Sequence, residues 1–391
     1  MYNIKPWVFL LRALFIKRLK NQRVKKVDKH YMKIALDLAK LGKGKVNPNP
    51  LVGAVIVKDK KIIAKGYHEK YGEDHAEVNA FKNAKENLAG ATMYVTLEPC
   101  SHYGKTPPCV DKIIDNKISR VVIGMIDPNK LVLGQGIKKL QDAGIEVEVG
   151  VLEEECKKLN EVFIKYIKNK KPFVVLKAAM SLDGKISTAS GESKWITGNK
   201  SRSEVHKLRN DLSAIMVGVD TVIIDNPYLT CRIVDGRNPI RIIVDSKLRI
   251  PKDSNVLENT NDIKTIIATT EKATKEKIDY LKNIGVWVIK TKSTDEKVNL
   301  KELMIKLGEL KIDSILLEGG SMLNYSALEV GIVDKVLIYI APKIIGGVNS
   351  KTPVEGNGIE QLKDAFKIKD LNISMVSEDV LIQGYIGGEE N

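Results

Sequence analysis

His75-Ala76-Glu77 and, further along, Pro99-Cys100-Ser101-His102-Tyr103-Gly104-Lys105-Thr106-Pro107-Pro108-Cys109 are the stretches that decide how this chain reads. Zinc takes soft thiolates and imidazole, and a catalytic zinc site supplies three protein ligands and leaves a fourth position to water. His75, Cys100 and Cys109 make such a set. Zinc lowers the pKa of its water to about 7, so hydroxide forms at neutral pH. A carboxylate as fourth ligand would close the site, so Glu77 is assigned to proton transfer, toward a ring nitrogen and then a leaving amine. The competing reading is a closed structural site with His102 as fourth ligand, and such a site has no need of Glu77.

The surrounding pattern places these residues. Asp28 is expected to cap a helix over Lys29–Leu41, where Met32, Ala35, Leu36 and Ala39 recur at helical spacing before Gly42. Strands are expected at Leu51–Val57 and Ile62–Ala64, a helix over Ala76–Asn87 and a strand at Thr92–Leu97. Cys109–Asn116, Arg120–Gly124, Gly136–Ala143 and Glu146–Val149 continue the alternation of helix and strand. That is an α/β sandwich with a buried sheet. Both zinc segments then fall at helix starts on one edge of it, and helix N-termini favour thiolate.

A helix over Glu153–Lys168 and the linker Asn169-Lys170-Lys171-Pro172 end this unit, giving expected domains at 28–170 and 171–391. The second unit has strands at Phe173–Ala179, Ala214–Gly218, Ile240–Asp245, Thr265–Ala268, Val286–Ile289, Ser314–Leu317 and Lys335–Ile340, with helices such as Lys200–Asp211 and Thr274–Asn283 between them. No Gly-x-Gly-x-x-Gly follows any strand, so the common dinucleotide fingerprint is missing. Ile315-Leu-Leu-Glu-Gly-Gly-Ser321 runs from strand through two glycines into a helix, a turn that exposes N–H groups to a phosphate. A plain strand–helix connection is the bland alternative.

Composition bounds the rest. The chain has 391 residues, 43% hydrophobic and 29% charged, which suits a soluble protein of two or three domains. Four cysteines in this length exclude a disulfide scaffold and fit the reducing cytoplasm, with Cys156 and Cys231 read as structural. The net charge is +14, but every charged residue among 1–27 is Lys or Arg, so much of the excess sits in that arm. The arm's apolar stretch, Trp7–Ile16, is too short for a bilayer, where about 20 residues are needed. Lys17-Arg18-Leu19-Lys20 follows it where a signal peptide would need small residues.

The segments Asn47-Pro-Asn-Pro-Leu-Val-Gly53 and Gly66-Tyr-His-Glu-Lys-Tyr-Gly72, with the eight residues between Cys100 and Cys109, resemble the bifunctional riboflavin-biosynthesis deaminase–reductases of bacteria. Cytidine, tRNA-adenosine and guanine deaminases space these cysteines two apart. The resemblance covers nearly everything from Asp28 onward. It implies a cytidine-deaminase-like first domain that removes one amino group of a diamino-phosphoribosylaminopyrimidine, with zinc on His75, Cys100 and Cys109. Glu77 becomes the proton shuttle, and Asn47, His68, His102 and Lys105 become substrate contacts.

The second half matches at Lys177–Gly184, Gly191–Thr197, Leu208-Arg209, Gly218–Thr221 and Asp225–Arg232. This implies a dihydrofolate-reductase-like domain that uses NADPH to open and reduce the phosphoribosyl group. Ala179, Trp195, Thr221, Asp225, Ser246 and the run Gly320, Ser321, Met322, Leu323, Asn324, Tyr325 and Ser326 would line the cofactor. Ser193, Arg209, Leu229, Arg232 and Glu318 would hold the substrate. Two arginine forks suit a phosphate, and Trp195 offers a face to a ring. Lys177 and Asp183 are the ionisable groups near the first strand that could move a proton, and Ser246, Lys247 and Arg249 the groups that could read the 2′-phosphate of NADPH. The expected partner is a small phosphorylated pyrimidine, with no nucleic acid or membrane, and the expected assembly a homo-oligomer, dimer or tetramer. A nucleic-acid deaminase and a binding protein on a degenerate enzyme scaffold are the rival classes. Residues 1–26 are expected to be dispensable, with initiation at Val27.

Overall fold

The computed structural model describes residues 26–103, 107–130 and 132–387. The expectation for the basic arm therefore falls, apart from Lys26, outside the described residues, as does that for Lys105. The chain divides between Lys168 and Asn169 into two compact units. Among the described residues no helix is long and apolar enough to cross a membrane.

Among the described residues, unit 1 opens with a helix, α1 (residues 26–39). Met32, Ala35 and Leu36 share one buried face of it, each large side chain contributing about 2–3 kcal/mol. Asp28 does not cap this helix. Lys26 and Val27 are already helical, and the buried Asp28 carboxylate accepts from Arg120 (2.9 and 3.1 Å) and from the Tyr94 hydroxyl (2.9 Å). The carboxylate is more useful tying helix to sheet than closing a helix end that continues past it.

Strands β1 (Gly53–Lys58), β2 (Lys61–Tyr67), β3 (Thr92–Leu97), β4 (Arg120–Met125) and β5 (Glu146–Val149) form one sheet in the order β2-β1-β3-β4-β5. The β1 pairings are antiparallel, while β3, β4 and β5 run parallel. Parallel strands need helical crossovers; α2 (Ala76–Lys82), α3 (Cys109–Asp115) and α4 (Gln135–Asp142) fill the connections. α2 lies close on β2 because Gly66 has no side chain: a Cβ there would come within 2.2 Å of Ala80 N. The helix expected over Glu153–Lys168 is two, α5 (Glu153–Leu159) and α6 (Glu161–Asn169). They break at buried Asn160, whose side-chain amide exchanges two hydrogen bonds with the backbone of Leu51 (2.8 and 3.0 Å).

Unit 2 holds a larger sheet. Its strands are β6 (Phe173–Ser181), β7 (Ala214–Gly218), β8 (Ile240–Val244), β9 (Thr265–Thr269) and β10 (Trp287–Lys290), then a small pair β11 (Ser293–Thr294) and β12 (Lys297–Val298), then β13 (Ser314–Leu317), β14 (Lys335–Ala341), β15 (Ile368–Val376) and β16 (Asp379–Ile386). The nine-stranded order is β10-β9-β8-β7-β13-β6-β14-β16-β15, parallel from β10 to β14 and antiparallel at the β16 and β15 edge. Helices α7 (Asn199–Asp211), α8 (Val219–Asp225), α9 (Lys275–Asn283), α10 (Leu300–Glu309) and α11 (Ser321–Glu329) connect them. Cores form on both sides of the sheet, one with α10 and α11, the other with α8 and α9. β15 and β16 are absent from the strands read in the sequence. They form an edge hairpin, and β15 is exposed nearly throughout, so it lacks the unbroken apolar run that marks the central strands. β13 inserts between β6 and β7, so the chain reverses there and opens a crevice at the carboxyl ends of these strands, where ligands of α/β sheets bind.

Two candidate active sites

In unit 1 the carboxyl end of β3 and the starts of α2 and α3 converge. His75 is the N-cap residue of α2, Glu77 lies in its first turn, and Cys109 opens α3. His75 Nδ1 lies 3.5 Å from Cys100 Sγ and 3.3 Å from Cys109 Sγ, and one donor atom from each residue falls within 4.8 Å of the others. The backbone N–H of Cys109 donates to Cys100 Sγ at 3.3 Å. Donation from Cys109 and from His75 outweighs burial and pulls the Cys100 thiol down, while the same contact with Cys100 pushes His75 up. An imidazole and two cysteine sulfurs within this reach of one another are a donor set that fits zinc. Glu77 is 3% exposed, and burial raises its carboxyl above the ordinary range.

His75, Glu77 and Cys100 line a cavity of about 260 Å³, and Cys109 lies behind them, outside its lining. His68 lines it too, its ring edge-on to His75 at 5.9 Å. Asn49 Nδ2 donates to His68 Nε2 (3.1 Å), leaving His68 Nδ1 to donate to Asp74 O (2.9 Å); burial keeps this ring below the usual histidine range. His102 reaches the cavity but is not in the three-residue metal cluster. Asn47 is not among the lining residues, and Asn49 stands there instead. Sequence reading also passed over Glu98, Asp127 and Asn129, which line the cavity. The available signal was position: Asp127-Pro-Asn129 leaves β4 at the same sheet edge where Glu98-Pro-Cys100 leaves β3. Burial raises the Asp127 carboxyl.

In unit 2 a cavity of about 420 Å³ lies where β6, β7 and β13 end. Ala179, Ser193, Trp195, Thr221, Asp225 and Glu318 all line it. Ser193 donates to Asp225 (3.2 Å). Trp195 sits in the left-handed region (φ 68°), with Arg202 stacked on its ring at 4.2 Å and Lys343 donating to its carbonyl at 2.9 Å. Of the Gly320–Ser326 run, Gly320, Ser321 and Asn324 line the cavity. Met322, Leu323, Tyr325 and Ser326 do not: the run is the start of α11, whose turn carries Met322, Leu323 and Ser326 to other faces, while Tyr325 is held elsewhere by its own contacts. Tyr325 instead donates to Gly358 O (2.7 Å), and Leu323 packs on the core.

Arg209, Leu229, Arg232 and Ser246 also lie off the cavity lining. The Arg209 fork meets Glu318, with Nε and Nη2 donating to the carboxylate at 2.8 and 3.1 Å and Nη1 to Thr230 O. Leu229 is a core residue with φ 52°. Ser246 Oγ accepts from Val298 N, Lys247 pairs with Glu296, and Arg249 pairs with Asp220, a cavity residue. Lys177 lines the cavity, 3.8 Å from Glu318, and burial lowers its ammonium below the usual lysine range. Asp183 is elsewhere, accepting from Ser181 and from the backbone of Ile345 and Gly346.

Known families match both halves. Residues 25–125 match the cytidine and deoxycytidylate deaminase zinc-binding region, and residues 172–382 match the RibD C-terminal domain. The riboflavin biosynthesis protein RibD of Actinobacillus pleuropneumoniae is 52% identical over 355 residues, covering 91% of this chain and 94% of that protein. The chain belongs to the RibD family. The Aquifex aeolicus RibD is 47% identical over 92% of this chain and 98% of its own length. A crystal structure from Thermotoga maritima, titled a diaminohydroxyphosphoribosylaminopyrimidine deaminase/5-amino-6-(5-phosphoribosylamino)uracil reductase, superposes with a TM-score of 0.82 at 42% identity, covering 93% of this chain and 99% of that one. The RibD match makes this chain a bifunctional enzyme of riboflavin biosynthesis, a zinc-dependent deaminase joined to an NADPH-dependent reductase. The RibD assignment displaces both rival classes, the nucleic-acid deaminase and the degenerate binding protein.

Proposed function

We propose that unit 1 deaminates a diaminohydroxy-phosphoribosylaminopyrimidine and that unit 2 reduces the ribosyl side chain of its product. The observation that carries the first step is the cluster of His75, Cys100 and Cys109 beside the buried Glu77, at the wall of a cavity of about 260 Å³. His75 Nδ1 and the two sulfurs would hold zinc, whose Lewis acidity lowers the pKa of water. Glu77 takes one proton of the attacking water, holds it on a carboxyl that burial has made more basic and gives it to the ring nitrogen; it then moves the second proton, from the added hydroxyl, to the amine that departs as ammonia while the carbonyl forms. His68, kept neutral and fixed by Asn49 and Asp74, orients the pyrimidine, with His102 and Lys105 as further contacts.

In unit 2 the cofactor would lie along Ala179, Trp195, Thr221, Asp225 and the start of α11, where Ser321 and Asn324 face the cavity. NADPH supplies the hydride. Lys177, whose proton burial makes easier to give, serves the proton transfer at the opening ribose, in preference to the remote Asp183. Arg209 acts through Glu318 rather than as a free phosphate fork, and Arg232 is left to meet the phosphate. Four free cysteines suit a reducing compartment, the cytoplasm.

Incubating the enzyme with the diaminopyrimidine, with and without NADPH, tests the pair of activities. Ammonia should appear in both arms, and NADPH absorbance should fall only after deamination. In Glu77→Gln ammonia release should drop by about 10²–10⁴, with zinc content and reduction of deaminated substrate retained. Near-normal ammonia release from that variant would remove Glu77 from the mechanism.

A further inference from the structure

We infer that Glu98 is a positioning residue for deamination: its buried carboxylate holds the start of α4 and the backbone at Asp127 against the Cys100 loop, and so completes the cavity wall. This rests on reading unit 1 as the deaminase.

Glu98 follows β3 and stands two residues before Cys100. Its side chain is 3% exposed, and an ionised carboxylate so placed must be satisfied by donors. Four backbone N–H groups do this. Asp127 and Gly134 donate to Oε2 at 3.2 and 3.1 Å, and Gly136 and Ile137 donate to Oε1 at 3.0 and 3.3 Å. Gly136 and Ile137 belong to the first turn of α4, where free N–H groups and the helix dipole favour an anion. One side chain thus fastens both the residue that leaves β4 and the helix that follows.

The fit leaves no slack. A Cβ on Gly136 would stand 2.3 Å from Pro99 O and 3.2 Å from Glu98 Oε1. What is held matters to the cavity: Asp127 and Asn129 line it together with Cys100 and Glu77. Asp127 Oδ1 also accepts from Asn129 N (2.8 Å), so the clamp on the Asp127 backbone fixes both side chains. Glutamine cannot replace this carboxylate, since its amide group would present N–H to two of the four N–H donors.

The test uses the full-length, zinc-loaded enzyme. Glu98→Gln should raise the KM for deamination about tenfold to a hundredfold, the effect of losing a charge-assisted hydrogen bond or two, with a smaller change in kcat. Zinc content and reduction of pre-deaminated substrate should be unchanged, and amide exchange at Asp127, Gly136 and Ile137 should accelerate. Glu98→Asp, which keeps the charge on a shorter stem, should lie between. Gly136→Ala strains the same contact from the other side and should raise KM likewise, which keeps the test alive if Glu98→Gln fails to fold. Unchanged KM despite faster exchange would overturn the inference. So would loss of zinc, because Glu98 would then be holding the metal loop rather than the substrate wall. Loss of ammonia release in every variant and in the parent enzyme would instead count against the deaminase reading itself.

Discussion

Replacing Glu318 by glutamine removes the negative charge that Arg209 and Lys177 share, and the cost can be worked out. Its carboxylate, 11% exposed, accepts two bonds from Arg209 and faces Lys177 at 3.8 Å. Burial by itself would raise this carboxyl; Arg209 and Lys177 outweigh it and hold the group down at about 2, against an ordinary 4.5. At roughly 1.4 kcal/mol per pH unit, that depression is worth about 3 kcal/mol. Breaking a buried pair by deleting one partner costs about 3–5 kcal/mol, because the other charge is stranded. Here two cations would be stranded, each under a fifth exposed. Glu318→Gln should therefore destabilise unit 2 by about 3 kcal/mol at neutral pH. Lys177→Met should cost less, since Lys177 is the longer and partly frustrated contact. Urea unfolding followed by fluorescence reads this directly, as Trp195 and Trp287 both lie in unit 2. The pH dependence has a definite sign. A carboxyl depressed in the folded state contributes its full stability above its unfolded pKa of about 4.5 and loses it as pH falls toward 2. The gap between parent and variant should thus shrink on acidification. A gap below about 1 kcal/mol at neutral pH, or one constant from about pH 6 to pH 3, would refute the argument.

Elemental analysis should find about one zinc per chain, lost in Cys100→Ser and Cys109→Ser and kept in His102→Ala; zinc held by either cysteine variant would sink the ligand assignment. The ratio of NADPH to NADH turnover should fall in Arg249→Ala, because Arg249 reaches the cavity edge through Asp220. The Lys247→Ala change should matter less, its partner being Glu296. An unchanged ratio in both variants would place recognition of the 2′-phosphate elsewhere.

The residues with strong local chemistry could be read before any coordinates. His75, Glu77, Cys100 and Cys109 announce zinc chemistry by type and spacing, because few other uses need two thiols, an imidazole and a spare acid so arranged. The buried strands Thr92–Leu97, Ala214–Gly218 and Ser314–Leu317, and the exposed edge strand Glu146–Val149, were legible to the residue, since turn residues flank them. Tertiary structure decided matters that depend on partners far away in the chain. Asp28 reads as a helix cap until Arg120 and Tyr94 are brought to it. Asn160 looks like any residue of a long helix until Leu51 offers its backbone. Arg209 suits a phosphate until Glu318 takes its fork, and only the helical phase of α11 separates Ser321 and Asn324 from Met322 and Leu323. Glu98, Asp127 and Asn129 carry no distinguishing motif. Their role comes from β3 and β4 ending side by side as parallel neighbours, which brings two loops together that the sequence keeps well apart.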